Sequence, residues 1–294
     1  MELVQLGPGP RLPDWARRPR ANWPALHEIK SDLRRYRLHT VCESARCPNI
    51  HECFGRGSAT FMILGNHCTR GCGFCAVPKG RGEALDPEEP ENVARMAEGL
   101  GLRYVVITSV NRDDLPDGGA AHWVATVHAV RRRLTQTRVE VLTPDFCGNL
   151  EAVRAVAGAG PHVYNHNLET VARLYRRVRP QAAYRQSLEV LAEVKHHAPG
   201  MLTKSGLMVG LGERPEEVEE VLRDLRSVGC DVATIGQYLQ PTRRNLRVEC
   251  YVPLEEFQRY REYGMSLGFR NVFSGPLVRS SYMADLVSPP LGDC

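Results

Sequence analysis

The chain has 294 residues, of which 43% are hydrophobic and 24% are charged, as expected for a globular protein of one large domain or two ordinary ones. Its net charge of +4 is small and dispersed, which argues against nucleic-acid binding as the main role. No apolar stretch is long enough to cross a membrane, and the first residues do not form a secretory signal. We therefore expect a cytoplasmic protein in which clustered cysteines bind metal or do chemistry and do not form disulfides.

The first 35 residues are rich in proline and arginine, which predicts an extended or loosely helical arm. Three cysteines follow with the spacing C-x4-C-x5-C, namely Cys42, Cys47 and Cys53. Polar residues surround them, which is unusual for thiols that fill a core. They could form a cofactor site or a zinc site, or they could be unconnected thiols.

Apolar runs and helical patterns alternate from Thr60 onward. The predicted strands lie at 60–64, 104–110, 139–142, 162–167, 202–209 and 231–239. The predicted helices lie at 90–100, 120–134, 150–157, 184–196, 215–228 and 254–268, and 269–277 returns toward the sheet. This alternation favours an α/β fold with a parallel sheet. Without a Rossmann glycine fingerprint, a partial (βα)6 TIM-like barrel is the better prediction.

The barrel prediction also indicates where the chemistry occurs, because active sites of such barrels lie at the carboxyl ends of the strands. Polar residues collect at the ends of several predicted strands, including Thr108, Ser109, Asn165 and Glu169. Cys68 comes just after the first predicted strand. We therefore expect one site on this face of the barrel.

A second cysteine triplet, Cys68, Cys72 and Cys75, has the spacing C-x3-C-x2-C. Zinc is the alternative, but zinc sites usually use paired C-x2-C knuckles and a fourth ligand at a comparable spacing. Three thiolates around a four-iron cluster would leave one iron open for another molecule. Gly71 and Gly73 would relieve backbone crowding in so short a loop.

This triplet after the first strand, with Phe74 before its last cysteine, resembles the radical S-adenosylmethionine superfamily. The resemblance implies a barrel of the radical SAM type, a 4Fe-4S cluster and S-adenosylmethionine bound to the open iron. One electron from the cluster would cleave the sulfonium and give a 5′-deoxyadenosyl radical, which can attack inert C–H bonds. The expected contacts to S-adenosylmethionine are Thr108, Ser109, Asn165, Glu169, Gly210, Gly212 and Glu213.

Several longer segments are similar to the lipoyl synthase family. They are Cys42–Cys53, Thr108–Gly119, Asn165–Thr170, Lys204–Glu213 and the run Arg279-Ser280-Ser281-Tyr282, and together they span about residues 25 to 287. The resemblance implies that Cys42, Cys47 and Cys53 hold a second, auxiliary 4Fe-4S cluster. Its fourth iron would be bound by Ser280, with Ser281 as the alternative. It also implies a division into 1–59 with the first cysteine motif, a core at 60–268, and 269–294 with the serine motif.

The implied reaction inserts two sulfur atoms, at C6 and C8, into an octanoyl group linked to a lysine of a carrier domain. The auxiliary cluster would be the sacrificial sulfur donor. Expected partners are octanoylated E2 subunits of 2-oxoacid dehydrogenases and the glycine cleavage H protein, a flavodoxin or ferredoxin type of electron donor, and cluster-repair proteins. Nucleic acid and membrane are not expected partners.

Two other functions fit parts of the sequence. One is a radical enzyme whose auxiliary cluster only transfers electrons, and the other is a zinc-stabilised binding protein. Arg112, Asp113 and Asp114 are expected to shape the site, and Asn111 is interpreted as a variable position. Cys147, which follows a strand, and Cys230, which precedes one, are predicted to be buried thiols.

Overall fold

One open sheet organises the molecule, and its strands lie in chain order from β1 to β8. The computed structural model describes residues 13, 23–44, 49 and 58–281. The strands are β1 His39–Thr40, β2 Ser58–Ile63, β3 Tyr104–Ser109, β4 Arg138–Leu142, β5 Val163–Asn165, β6 Leu202–Val209, β7 Val232–Gln237 and β8 Asn271–Gly275. β1 pairs antiparallel with β2, and every later pair is parallel.

Helices follow most strands and cover the outside of the sheet. They are α1 Trp23–Arg35, α2 Val41–Ser44, α3 Glu89–Gly99, α4 Ala120–Arg133, α5 Leu150–Gly158, α6 Tyr175–Val178, α7 Tyr184–His197, α8 Pro215–Ser227 and α9 Leu254–Ser266. Short 3-10 turns lie at Phe146–Gly148 and Ala172–Leu174. Within the described residues, no helix is long and apolar enough to span a bilayer.

Helix α8 shows why these segments fold as they do. It begins with Pro215, whose fixed φ suits the first helical turn, and Glu217 accepts from the backbone N–H of Arg214 at 2.7 Å. Val218, Val221, Leu222 and Leu225 then repeat at helical spacing and are buried against the sheet. Local sequence and core packing therefore favour the same element.

The strands are buried on both faces, as expected when helices cover a parallel sheet. All six residues of β7 are buried, as are the first five of β3. Two large apolar clusters form the core, one around β2 to β5 and one around β6 to β8. This rigid frame presents the carboxyl ends of the strands to one side.

The six predicted strands and the partial barrel are confirmed. The structure adds β8 beside β7 and the short β1 beside β2, and the sheet is not closed. The arm predicted before residue 36 contains a regular helix, α1, over its last 13 residues. The division of the chain at residues 59 and 268 stays a prediction.

Candidate active site

The loop that carries the second cysteine triplet is hydrogen-bonded to two neighbouring segments. The backbone N–H of Gly73 donates to Val178 O at 2.9 Å, and Gly73 O accepts from Leu246 N at 2.9 Å. A Cβ at Gly73 would lie 2.8 Å from Leu246 Cδ1, closer than ordinary contacts allow. A side chain at this position would therefore displace Leu246.

Cys68, Cys72 and Cys75 line one cavity of about 180 Å³, which we call the cysteine cavity. Thr108, Ser109 and Glu169 lie in its wall, as do Arg70, Asn111, His166, Asn167 and Arg179. Burial raises the pKa of the Cys72 thiol, and it raises the pKa of Cys75 to about 12. Without a metal these thiols stay protonated, so binding iron would release protons.

Asn111 contacts Cys68 in a way that the sequence did not reveal. Its backbone N–H donates to Cys68 Sγ at 3.3 Å, and its side-chain Nδ2 lies 3.8 Å from the same sulfur. Hydrogen bonds of this kind stabilise negative charge on a thiolate and tune the potential of an iron–sulfur cluster. The interpretation of Asn111 as a variable position missed this role.

The wall of the cysteine cavity offers polar atoms for a polar ligand. Counting partners among the described residues, buried atoms of Ser109 (Oγ), Asn111 (Oδ1), His166 (Nε2) and Asn167 (Oδ1) make no hydrogen bond. Buried polar groups are rarely left unsatisfied, because each costs free energy. Three thiols and these atoms fit a cluster together with a ligand that carries amino, carboxylate and hydroxyl groups.

Within the described ranges, no group of three or more His, Cys, Asp or Glu side chains could hold a metal ion. The ligands of a single zinc ion must converge on one point at about 2.0–2.3 Å. The thiolates of a cubane cluster bind different iron atoms, so they need not converge in this way. The arrangement of the three cysteines is therefore compatible with a cluster.

Glu169 and Arg179 both line the cysteine cavity. Glu169 has a left-handed φ of 68° and joins its loop to β6 through hydrogen bonds with Gly206 O (2.9 Å) and Met208 N (2.9 Å). Burial raises the pKa of its carboxyl, although the charge of Arg179 opposes this shift. Arg179 donates to Asn167 O at 2.9 Å, so it fixes the loop that carries Asn167 and Glu169.

Arg70, inside the second triplet, fastens the cysteine loop to the loops after β3 and β4. Its buried guanidinium contacts Asp113 at 2.7 Å and Asp145 at 2.6 Å. Burial alone would raise the pKa of Asp145, but the hydrogen bond and charge of Arg70 outweigh it and lower that pKa to about 2. Arg112 pairs in turn with Asp114 at 2.8 Å.

The prediction for one of the remaining cysteines was wrong. Cys147 is exposed because it lies in the 3-10 turn that follows β4 and not in the packed sheet. Its Sγ lies 3.1 Å from Asp113 Oδ1. Cys230 is fully buried, as predicted.

A second cavity of about 380 Å³ adjoins the first, and we call it the serine cavity. Cys42, Cys75, Ser280 and Ser281 all line it, although Cys42 and Ser280 are far apart in sequence. Cys75, Asn167 and Glu169 line both cavities. Cys47 and Cys53 lie outside the described residues.

Hydrogen bonds join Ser280 and the nearby Leu277 to other residues that line this cavity. Asn167 Nδ2 donates to Ser280 Oγ at 3.1 Å and to Glu169 Oε1 at 3.0 Å. Asn49, which lies between the second and third cysteines of the first triplet, donates to Leu277 O at 2.7 Å. Cys42 and Asn49 therefore lie close to the segment that carries Ser280.

Four other predicted site residues do not line either cavity. Asn165 is buried in a network with Glu140, to which its Nδ2 donates at 2.9 Å, and Lys204 contacts the same carboxylate at 3.1 Å. Gly210 and Gly212 have left-handed φ values of 98° and 102° in the turn after β6. Glu213 accepts from the backbone N–H groups of that turn. Their roles as cofactor contacts stay predictions.

Comparison with known proteins identifies the family. Residues 62–225 match the model of the radical SAM superfamily. The chain is 56% identical to a lipoyl synthase of Caldanaerobacter subterraneus subsp. tengcongensis over 94% of its own length and 96% of the relative's. It is 54% identical to a lipoyl synthase of Thermus thermophilus, over 97% and 90% of the two lengths.

The chain belongs to the lipoyl synthase family. The matches to this family cover nearly all of the chain, so they include both cysteine motifs and the serine motif. As a member of the radical SAM superfamily, this protein has a 4Fe-4S cluster and S-adenosylmethionine as cofactors. The family prediction made from the motifs is confirmed.

Solved structures support the fold alone. A methylornithine synthase matches 88% of this chain and 87% of its own, with a TM-score of 0.56 and 16% identity. HydG, a maturase of the [FeFe]-hydrogenase, matches 87% of this chain and 57% of its own, with a TM-score of 0.56 and 14% identity. This chain thus shares its fold with proteins of other activities.

Proposed function

We propose that the enzyme inserts two sulfur atoms, at C6 and C8, into an octanoyl group that is amide-linked to a lysine of a carrier domain. The observation that carries this proposal is the serine cavity. One space is lined by a cysteine of the second triplet, by a cysteine of the first and by Ser280. A radical source and a sulfur source would therefore face the same substrate.

Cys68, Cys72 and Cys75 would hold the cluster that binds S-adenosylmethionine. When bound, these cofactors supply a 5′-deoxyadenosyl radical, which removes hydrogen from an unactivated carbon. Residues of the chain stabilise the cluster ligands and hold the loops around this site. Asn111 stabilises the Cys68 thiolate, and Arg179 holds the loop that carries Glu169.

Cys42, Cys47, Cys53 and Ser280 would hold the auxiliary cluster, which we propose as the sulfur donor. Cys42 is buried and faces the same cavity as Ser280. Ser280 is favoured over Ser281 because Asn167 orients its hydroxyl oxygen with a hydrogen bond. An oxygen ligand is harder than a thiolate and leaves iron more easily on protonation, which suits a cluster that is consumed.

The walls of the serine cavity suit an aliphatic chain. Apolar side chains contribute to its lining, namely Leu142, Leu207, Met208, Leu239 and Val278. Burial of each methylene of an acyl chain in such a site contributes about 0.8 kcal/mol. The cavity would bind the octanoyl chain and exclude water from the radical.

The partners follow from this reaction. The substrates would be octanoylated carrier domains, such as E2 subunits of 2-oxoacid dehydrogenases and the glycine cleavage H protein. A flavodoxin or ferredoxin would supply electrons, and repair proteins would rebuild the auxiliary cluster in the cytoplasm. Each of these partners is part of the proposal.

A matched pair of serine variants tests the proposal. Ser280→Ala and Ser281→Ala would be purified without oxygen and incubated with an octanoyl-lysine peptide, S-adenosylmethionine and dithionite. We expect Ser280→Ala to cleave S-adenosylmethionine but to form little lipoyl peptide, whereas Ser281→Ala should resemble the unsubstituted chain. Equal lipoyl formation by all three would contradict the role of Ser280.

Iron and sulfide analysis separates sulfur donation from electron transfer. We expect about eight irons per chain before the reaction, from two four-iron clusters. Each lipoyl group formed should then consume one auxiliary cluster. An auxiliary cluster that survives product formation would instead support electron transfer as its role.

A further inference from the structure

A loop beside the serine cavity carries three exposed arginines. Leu239, Gln240 and Pro241 line the cavity, and the chain then leaves it through Arg243, Arg244 and Arg247. Their guanidinium groups make no ion pair with any described residue. No acidic residue occurs between Asp231 and Glu249, so the loop keeps its positive charge.

Hydrogen bonds fix this loop to the cysteine loop, and two more hold its own conformation. Leu246 N donates to Gly73 O at 2.9 Å, and Asn245 Nδ2 donates to Cys75 O at 2.8 Å. Tyr238 donates to Leu246 O at 2.7 Å, and Thr242 donates to Asn245 Oδ1 at 2.6 Å. The backbone that carries the arginines is therefore held at a set distance from the catalytic cysteines.

A fourth exposed arginine lies on helix α6. Helix α6 contacts that loop through Val178 O, and its Arg176 is exposed and has no ion-pair partner within the described ranges. Its neighbour Arg177 pairs with Glu249. We call the four unpaired residues, Arg176, Arg243, Arg244 and Arg247, the arginine rim.

We propose that the arginine rim docks an acidic surface of the carrier domain, next to its octanoyl-lysine. This inference rests on the proposed function, in which the substrate is attached to a protein. When the octanoyl-lysine enters the serine cavity, the carrier-domain surface around that lysine comes into contact with the arginine rim. Unpaired cations at that place attract an acidic partner and orient it before the arm enters.

The test compares two double variants that remove the same charge. Arg243→Gln/Arg244→Gln alters the rim. Arg103→Gln/Arg261→Gln is the control, because Arg103 precedes β3 at the amino end of the strands and Arg261 lies on α9. All four residues are exposed, so neither variant disturbs the core. Binding of an octanoylated carrier domain is measured by calorimetry at two salt concentrations, and turnover is measured with dithionite.

We expect the rim variant to bind the carrier domain about five- to tenfold more weakly, with a smaller salt dependence. Its KM for the domain should rise with kcat unchanged, and conversion of a short octanoyl-lysine peptide should not change. The control should behave like the unsubstituted chain. This pattern would distinguish docking from a loss of the active site.

Three results would overturn the proposal. The rim variant could bind the carrier domain as tightly as the control does. It could keep full turnover with dithionite but lose turnover driven by a flavodoxin, which would assign the rim to the electron donor. If the unsubstituted chain converts neither peptide nor domain, the proposed function fails, and this inference fails with it.

Discussion

Asn167 Nδ2 donates a hydrogen bond to Ser280 Oγ at 3.1 Å, across 113 residues of sequence. The same NH2 group donates to Glu169 Oε1, so one side chain joins the walls of the two cavities. It constrains the Ser280 hydroxyl in the cavity that Cys42 also lines.

Replacement of Asn167 should reduce sulfur insertion more than radical formation. Asn167→Leu removes the donor and leaves Ser280 unoriented, which costs about 1 kcal/mol and thus about a five- to tenfold loss of lipoyl product. Asn167→Asp should be worse, because its carboxylate faces Glu169. Mössbauer spectra of the auxiliary cluster should change in both variants. Unchanged spectra and unchanged product yields would contradict this role.

Gly236 in β7 lies where the C-terminal segment passes the sheet. A Cβ there would meet the backbone oxygen of Val278 at 2.1 Å, so Gly236→Ala should displace the segment that carries Ser280. We expect about four irons per chain instead of about eight, with the first cluster retained.

Gly200→Ala is the matched control for this variant, since nothing lies within 4 Å of its added Cβ. Iron and sulfide analysis with thermal unfolding compares the two. A full iron content in Gly236→Ala would show that the segment tolerates the shift.

Asn111→Ala should lower the reduction potential of the first cluster. Loss of the Nδ2 contact to Cys68 Sγ removes stabilisation of negative charge, and the reduced cluster is the more negative form. One hydrogen bond corresponds to a shift on the order of 20–60 mV. Redox titration monitored by electron paramagnetic resonance measures this shift, and a rise in potential would contradict it.

The Arg70–Asp145 contact should contribute to acid stability. The pKa of Asp145 is lowered to about 2 in the folded protein, so its contribution is present above its ordinary pKa near 4 and is lost as the pH falls toward 2. The contribution is on the order of 2 kcal/mol. Asp145→Asn should therefore show a smaller loss of unfolding free energy between pH 5 and pH 2.

Urea unfolding of the metal-free protein at several pH values checks this prediction. Glu98→Gln is the control, because its ion pair with Arg133 lies at the surface and such pairs contribute little. An equal pH dependence in Asp145→Asn and in the unsubstituted chain would assign acid unfolding to other carboxyl groups.

The strands and helices could be predicted from sequence because each has its own period and end signals. The hydrophobic spacing of α8 and the apolar run of β7 are local properties. The spacing of Cys68, Cys72 and Cys75 is local as well, and it led to the correct superfamily.

The contacts that complete the site could not be predicted in this way. Asn111 to Cys68 and Asn49 to Leu277 join residues that are 43 and 228 positions apart, and nothing in the sequence near either asparagine indicates its partner. The exposure of Cys147 depends on the 3-10 turn that follows β4, which the residues around it did not indicate. Such features arise from tertiary packing and not from periodicity.

The hydrogen bond between Asn49 and Leu277 also bears on the order of events during synthesis. The second cysteine triplet and most of the strands around it leave the ribosome long before Leu277 does. The radical site could thus fold and take up its cluster early. The auxiliary-cluster site, which would supply the sulfur, would be completed last. A nascent chain could therefore not begin sulfur insertion before that site had formed.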